Sequence, residues 1–101
     1  MKKIINGKKY DTETATKIGE YSNGYSTSDF HYIDETLYRK KTGEFFLYGE
    51  GGPMTRYSHA CGDLRGYGDA FIPMSDEETR KWAEEHLDVD YFEEIFGVVE
   101  E

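Results

Sequence analysis

Cys61 and His59 are the residues best suited by type to nucleophilic chemistry, and they stand two positions apart in Ser58-His59-Ala60-Cys61-Gly62. A thiol nucleophile needs a base within hydrogen-bond reach and a third group that orients the base. Two residues in a loop supply neither by spacing alone, and no orienting group is identifiable. The same pair, joined by His31 or His86, has the ligand types of a zinc site, but such sites are built from two pairs at ligand spacing and the second is missing. Gly49-Glu50-Gly51-Gly52 has the glycines of a phosphate loop without its Lys-Ser/Thr or the G-x-G-x-x-G register, and Glu50 would repel a phosphate. It reads as a tight turn leaving a strand. Adjacent acids such as Glu84-Glu85 and Glu93-Glu94 diverge by about 100° on a helix and form no acid–base dyad. The sequence therefore assigns no catalytic residue, no metal and no cofactor, and points away from an enzyme.

Charge is the stronger signal. The chain carries a formal net charge of −9, and all of it lies after Ser75: eleven carboxylates there face only Arg80 and Lys81, while residues 1–75 are balanced. A solvated helix face that keeps a protein soluble accounts for part of this. So dense a field of one sign costs stability by self-repulsion and exceeds what solubility requires. The sharper reading is a docking face for a basic groove, with carboxylates standing in for the phosphates of a nucleic acid. Asp76, Glu77, Glu84, Glu85, Asp88, Asp90, Glu93 and Glu94 are the candidate partner-binding residues.

The elements that must position these groups can be read in turn. Ser75 and Glu78 form a capping-box pattern, and Thr79, Trp82, Ala83, His86 and Leu87 recur at helical spacing as an inward face with Trp82 in the core. A second helix start is read at Asp90, with Glu93 at the box position and Tyr91, Phe92, Ile95, Phe96 and Val99 as its apolar side; Gly97 ends it. Upstream, Asn6-Gly7 predicts a hairpin of residues 2–5 and 8–10. Asp11 is read as the cap of a brief helix from Thr12 to Ile18, and Asn23-Gly24 as another reversal, between Tyr21 and Tyr25. A polar loop follows, leading into Phe30-His31-Tyr32-Ile33. Residues 37–40 and 44–48 are strand formers joined by Lys41-Thr42-Gly43; Phe45 and Leu47 share one face and Phe46 and Tyr48 the other. Pro53 predicts a short helix reaching Tyr57 and His59, Gly62 to Gly68 a glycine-rich loop, and Ala70-Phe71-Ile72 an edge strand before Pro73.

These readings give a single α+β domain over 1–101, β-rich from 1 to 74 and helical and acidic from 75 to 101. An antiparallel sheet of four to six strands precedes two helices. Only 37% of residues are hydrophobic, so the 16% that are aromatic must supply the core area of so small a fold. One cysteine excludes an internal disulfide framework and fits a reducing compartment. The basic N-terminus has no apolar core of a signal peptide, and no run reaches membrane-spanning length. The expectation is a soluble cytoplasmic protein with no membrane partner. A pI near 4.7 argues against direct nucleic-acid binding through a basic patch.

Two stretches carry a resemblance: Leu37-Tyr38-Arg39-Lys40-Lys41-Thr42-Gly43-Glu44-Phe45-Phe46-Leu47-Tyr48-Gly49-Glu50-Gly51-Gly52, and Ile72-Pro73-Met74-Ser75-Asp76-Glu77-Glu78 with Trp82-Ala83-Glu84-Glu85 and Asp90 to Gly97. Together they cover about half the chain and resemble small proteins of phages, plasmids and conjugative elements of Gram-positive bacteria. Small acidic proteins of such elements resemble anti-CRISPR and other anti-defence inhibitors. The resemblance implies a non-enzymatic inhibitor of a host nucleic-acid-handling complex, a CRISPR effector foremost, acting in the bacterial cytoplasm. It brings no catalytic residues. Two other readings stay open: an accessory or regulatory adaptor acting as a homodimer through aromatic sheet surface, and a small enzyme using Cys61, His59 or Glu50.

Overall fold

The computed structural model describes residues 1–101. Ten elements follow one another: β1 (Lys2–Ile5), β2 (Lys8–Asp11), β3 (Thr16–Ser22), β4 (Ile33–Arg39), β5 (Phe45–Gly51), β6 (His59–Cys61), β7 (Leu64–Gly66), β8 (Gly68–Met74), α1 (Asp76–His86) and α2 (Val89–Phe96). The main sheet is antiparallel in the order β3-β4-β5-β8, flanked by the separate hairpins β1-β2 and β6-β7. The α+β class, the first hairpin, the β4-β5 pair and the edge position of β8 agree with the sequence reading. Asn6 and Gly7 both take positive φ at the first turn, as does Gly43 between β4 and β5.

The alternation of β5 divides the molecule into two layers. Phe45 and Leu47 face the helices and join Ile18, Leu37, Trp82, Ala83 and Phe92 in the core. Phe46 points the other way, against Tyr38, Phe71 and Tyr10 of β2, whose ring meets it edge-on at 5.4 Å. The hairpin β1-β2 is thus fastened to the sheet face opposite the helices. Lys40 Nζ over the Tyr10 ring at 3.6 Å and the Lys8–Glu44 ion pair at 2.7 Å hold it there. Both sheet faces are covered, as the paired aromatic pattern of 45–48 predicts.

Five local expectations are corrected. Residues 12–15 form a turn, with Asp11 Oδ1 accepting the Glu13 N–H at 2.9 Å, and the β-branched Thr16 and Ile18 go into β3 instead of a helix. The Asn23-Gly24 reversal is a wide loop: Asn23 clamps its ends by accepting the Ile33 N–H at 3.1 Å and donating to the His31 carbonyl at 2.7 Å. No helix follows Pro53, because the Thr55 hydroxyl bonds the Gly52 carbonyl and accepts the Tyr57 N–H, offering the backbone a turn in place of a helix. The glycine-rich segment holds the hairpin β6-β7, turned at Gly62. Gly49-Glu50-Gly51 continues β5 where a strand exit was expected. A Cβ at Gly49 would overlap the Tyr57 ring and one at Gly51 the Thr55 side chain, so these glycines admit close packing within a strand.

One buried carboxylate ties the sheet to helix α1 and to the segment after β5. Glu35, in the middle of β4 and 6% exposed, accepts the Trp82 Nε1–H of α1 at 3.0 Å and the Tyr57 hydroxyl from the segment after β5. Arg56 Nη1 lies 4.0 Å away at the rim. Burial and the bond to Glu35 push the Tyr57 phenol well above its ordinary value. Removing the acceptor strands two buried donors, each of which costs about 1–3 kcal/mol unpaired. Glu35→Ala is expected to lower unfolding stability by about 3–5 kcal/mol in chemical denaturation. Glu35→Gln, which keeps one acceptor oxygen, should lose clearly less. Equal stability of the Ala variant and the wild type would show that the carboxylate joins nothing.

Candidate functional site

The acidic segment is a rigid layer. Ser75 and Glu78 complete the capping box, each side chain bonded to the other's backbone N–H at 3.1 and 3.0 Å. The Ser75 backbone N–H, then its hydroxyl, hold the Glu78 carboxyl below its usual range. Thr79, Trp82 and Ala83 are buried along one side of α1, and Phe92 anchors α2. Arg80 is drawn back over the Phe92 and Phe96 rings at 5.5 and 5.3 Å, which leaves Lys81 as the one cation on the outward side of α1.

Of the eight candidate binding residues, Asp76, Glu77, Glu84, Glu85, Asp90 and Glu94 are exposed and accept no hydrogen bond from the chain. Glu85 lies 3.8 Å from His86 Nε2. The other two have structural duties. Asp88 is the true N-cap of α2, accepting the Tyr91 N–H at 2.8 Å, so the cap lies two residues before the expected Asp90 and the helix runs from Val89. Glu93 is half-buried and accepts the Val99 N–H at 2.8 Å. Glu84 and Glu93 line a groove of about 320 Å³ together with Leu87, Val89, Phe92 and Val99. Asp76 lies apart, in a depression with Arg39 and Arg80.

His59 and Cys61 are both exposed on the β6-β7 hairpin. His31 stands beside Asp29 and Tyr25, and His86 is stacked on Tyr21 at 3.7 Å, so the three histidines have separate surroundings. No group of three or more His, Cys, Asp or Glu side chains is arranged to hold a metal ion. No helix is long and apolar enough to cross a membrane.

A second acidic feature escaped the sequence reading. Asp34, Glu50 and Asp69 are direct cross-strand neighbours on β4, β5 and β8. The Tyr32 hydroxyl donates to Glu50 at 2.9 Å and the Tyr48 hydroxyl to Asp69. Burial, then the Glu50 charge, raise the Asp34 carboxyl above its ordinary value. Burial, then the bond to Glu50, push the Tyr32 phenol up to about 12, and burial with Asp69 raises Tyr48 as well. Strand register alone brings the three acids together, and register was the part of the sheet that the sequence left open.

No protein-family model, curated protein or solved structure matches the chain.

Two titration outcomes follow from the row of acids. A carboxyl raised in the fold favours its protonated form, so its cost is absent below the unfolded value of 3.8 and grows as pH rises through the folded value. Asp34→Asn is therefore expected to stabilise the protein at pH 7 by about 0.5–1 kcal/mol, with the gain vanishing in melts below the unfolded value. A gain independent of pH would show that Asp34 charge is not its source. At the alkaline end the unfolded tyrosines ionise near 10.0 while Tyr32 resists to about 12. Stability should fall across that window, and Tyr32→Phe should make the fall shallower.

Proposed function

We propose that this protein is a non-enzymatic inhibitor that docks its acidic helical layer on the basic groove of a nucleic-acid-handling complex. The mobile-element resemblance makes a bacterial CRISPR effector the kind of complex intended, and the cytoplasm the place of action. The observation that carries the reading is the confinement of the whole −9 charge to the two-helix segment after Ser75 and its short tail. Six of its carboxylates there are exposed and held by no hydrogen bond of the chain. Such a field raises encounter rates with a basic surface and aligns the approach before contact. The layer needs no reordering on binding, because caps and the Trp82 and Phe92 anchors already fix it. Asp88 and Glu93, tied to backbone donors, serve the layer's shape more than its contacts.

The test is affinity capture of the tagged protein from a bacterial host lysate, followed by binding kinetics with the partner recovered. Glu84→Lys, Glu85→Lys and Glu94→Lys together are expected to slow association by about 10²-fold at moderate salt, with melting unchanged. A nucleic-acid-binding complex that washes off as salt rises fits the proposal. Unchanged binding and inhibition by the triple variant would remove it.

A further inference from the structure

The chain carries both halves of a complementary contact on opposite sides of its sheet. One half is the groove between α1 and α2, lined by Leu87, Val89, Phe92 and Val99 together with Glu84 and Glu93. Val89 and Val99 are 73% and 52% exposed, so the groove is open to an occupant. The other half is the outward side of the β1-β2 hairpin. Ile4 stands there 65% exposed, paired across the ladder with Lys9 and on the same face as Lys2, while Lys3, the cross-strand partner of Tyr10, lies nearby on the other face. Lys8 and Lys9 have partners in Glu44 and Asp11, while Lys2 and Lys3 make no ion pair within the chain. An apolar side chain flanked by the Lys2 and Lys9 ammonium groups is the charge and polarity complement of an apolar groove that also holds two carboxylates.

The two halves cannot meet within one molecule. Tyr10 fastens the hairpin to the Phe46 face of the sheet, and the helices cover the Leu37 and Leu47 face. We infer that the β1-β2 hairpin of one copy seats Ile4 in the α1-α2 groove of a second copy, with Lys2 and Lys9 against its Glu84 and Glu93. The contact joins two different patches, so it repeats from copy to copy and gives open chains unless the rotation closes a ring. Each copy carries net charge −9, which opposes association at long range. At about 0.1 M salt the screening length is ~10 Å, short beside the 48 Å length of the molecule. The general repulsion is then damped while the contacting charges still attract. A hairpin tip is far smaller than a standard interface, so the expected affinity is weak, in the range of about 10 μM to 1 mM. Because the groove lies in the acidic layer, a copy seated there would mask part of that layer from any other basic partner. The inference needs no such partner and is tested on the purified protein alone.

Sedimentation of the full chain at about 0.1 M salt, up to about 1 mM protein, reads the outcome directly. The wild type should rise from 11.7 kDa to the mass of dimers and longer chains with concentration, and return to monomer at about 0.5 M salt. A hairpin variant, Lys2→Thr with Ile4→Thr, and a groove variant, Glu84→Lys with Val99→Lys, should each stay monomeric with unchanged circular dichroism. Mixed in equal amounts they should form a heterodimer and nothing larger, since each retains one intact half. The inference is overturned if the wild type stays monomeric, if either variant associates like the wild type, or if the mixture does not pair.

Discussion

The Glu35 carboxylate sits where the sheet, helix α1 and the segment after β5 meet, and it is nearly out of water. Burying a charge is expensive unless donors replace the lost hydration. Trp82 and Tyr57 supply them, and their geometry then constrains everything nearby. Trp82 must lie with its indole nitrogen over β4, which fixes the rotation of α1 and hence which of its residues face outward. Tyr57 must cross β5 at Gly49, where no side chain other than hydrogen fits beneath its ring. One acceptor thus sets the helix register, the course of the 52–58 segment and the glycine in the central strand.

The same rotation decides where the charge goes. With Thr79, Trp82 and Ala83 turned inward, the remaining arc of α1 is left to Glu77, Glu84 and Glu85 with Lys81 between them. The sheet then separates this layer from the lysines of β1 and β2, which are bound to its far face through Tyr10 and Phe46. An electroneutral β-region and an acidic helical one become, in three dimensions, a polarised molecule. Polarity of that kind favours head-to-tail contact and oriented approach to a partner.

Local chemistry and the pairing of strands joined by short turns were legible in the sequence, and the pairing of distant strands and its register were not. The Ser75–Glu78 box, the Asn6-Gly7 hairpin and the Gly97 stop each depend on a few adjacent residues, so their signals survive intact. Thr12 to Ile18 and the Pro53 segment misled because Asp11 and Thr55 side chains bond nearby backbone, a competition that residue type alone does not settle. The glycines at 49 to 52 looked like a break because their reason is a tertiary one, the approach of Tyr57, Thr55 and the loop backbone at Asp29 and Phe30. Among the candidate site residues, exposure followed from helical spacing. The capping role of Asp88 and the bond of Glu93 to Val99 did not, since both depend on where the backbone turns. Glu35 had a visible sign, an acid between Ile33 and Leu37 at alternate positions of a strand, but its donors lie 22 and 47 positions away.

The two acidic features differ in what they ask of the fold. On the helices most of the carboxylates project into water, where high dielectric and salt weaken their repulsion. Those in the first turns also gain from the helix dipole. Across the sheet, Asp34, Glu50 and Asp69 are set side by side by strand register, and burial, then the Glu50 charge, hold the Asp34 carboxyl above its ordinary value. Tyr32 and Tyr48 offset this crowding with hydroxyl donors in place of cations. A neutral donor satisfies lone pairs without cancelling charge, so this end of the sheet remains negative as well. The lysines of β1 reach only its edge, where Lys2 and Lys3 border Asp69. Negative charge therefore extends beyond the helices to the row at the glycine end of β5, while Lys2, Lys3, Lys8 and Lys9 give the hairpin the opposite sign.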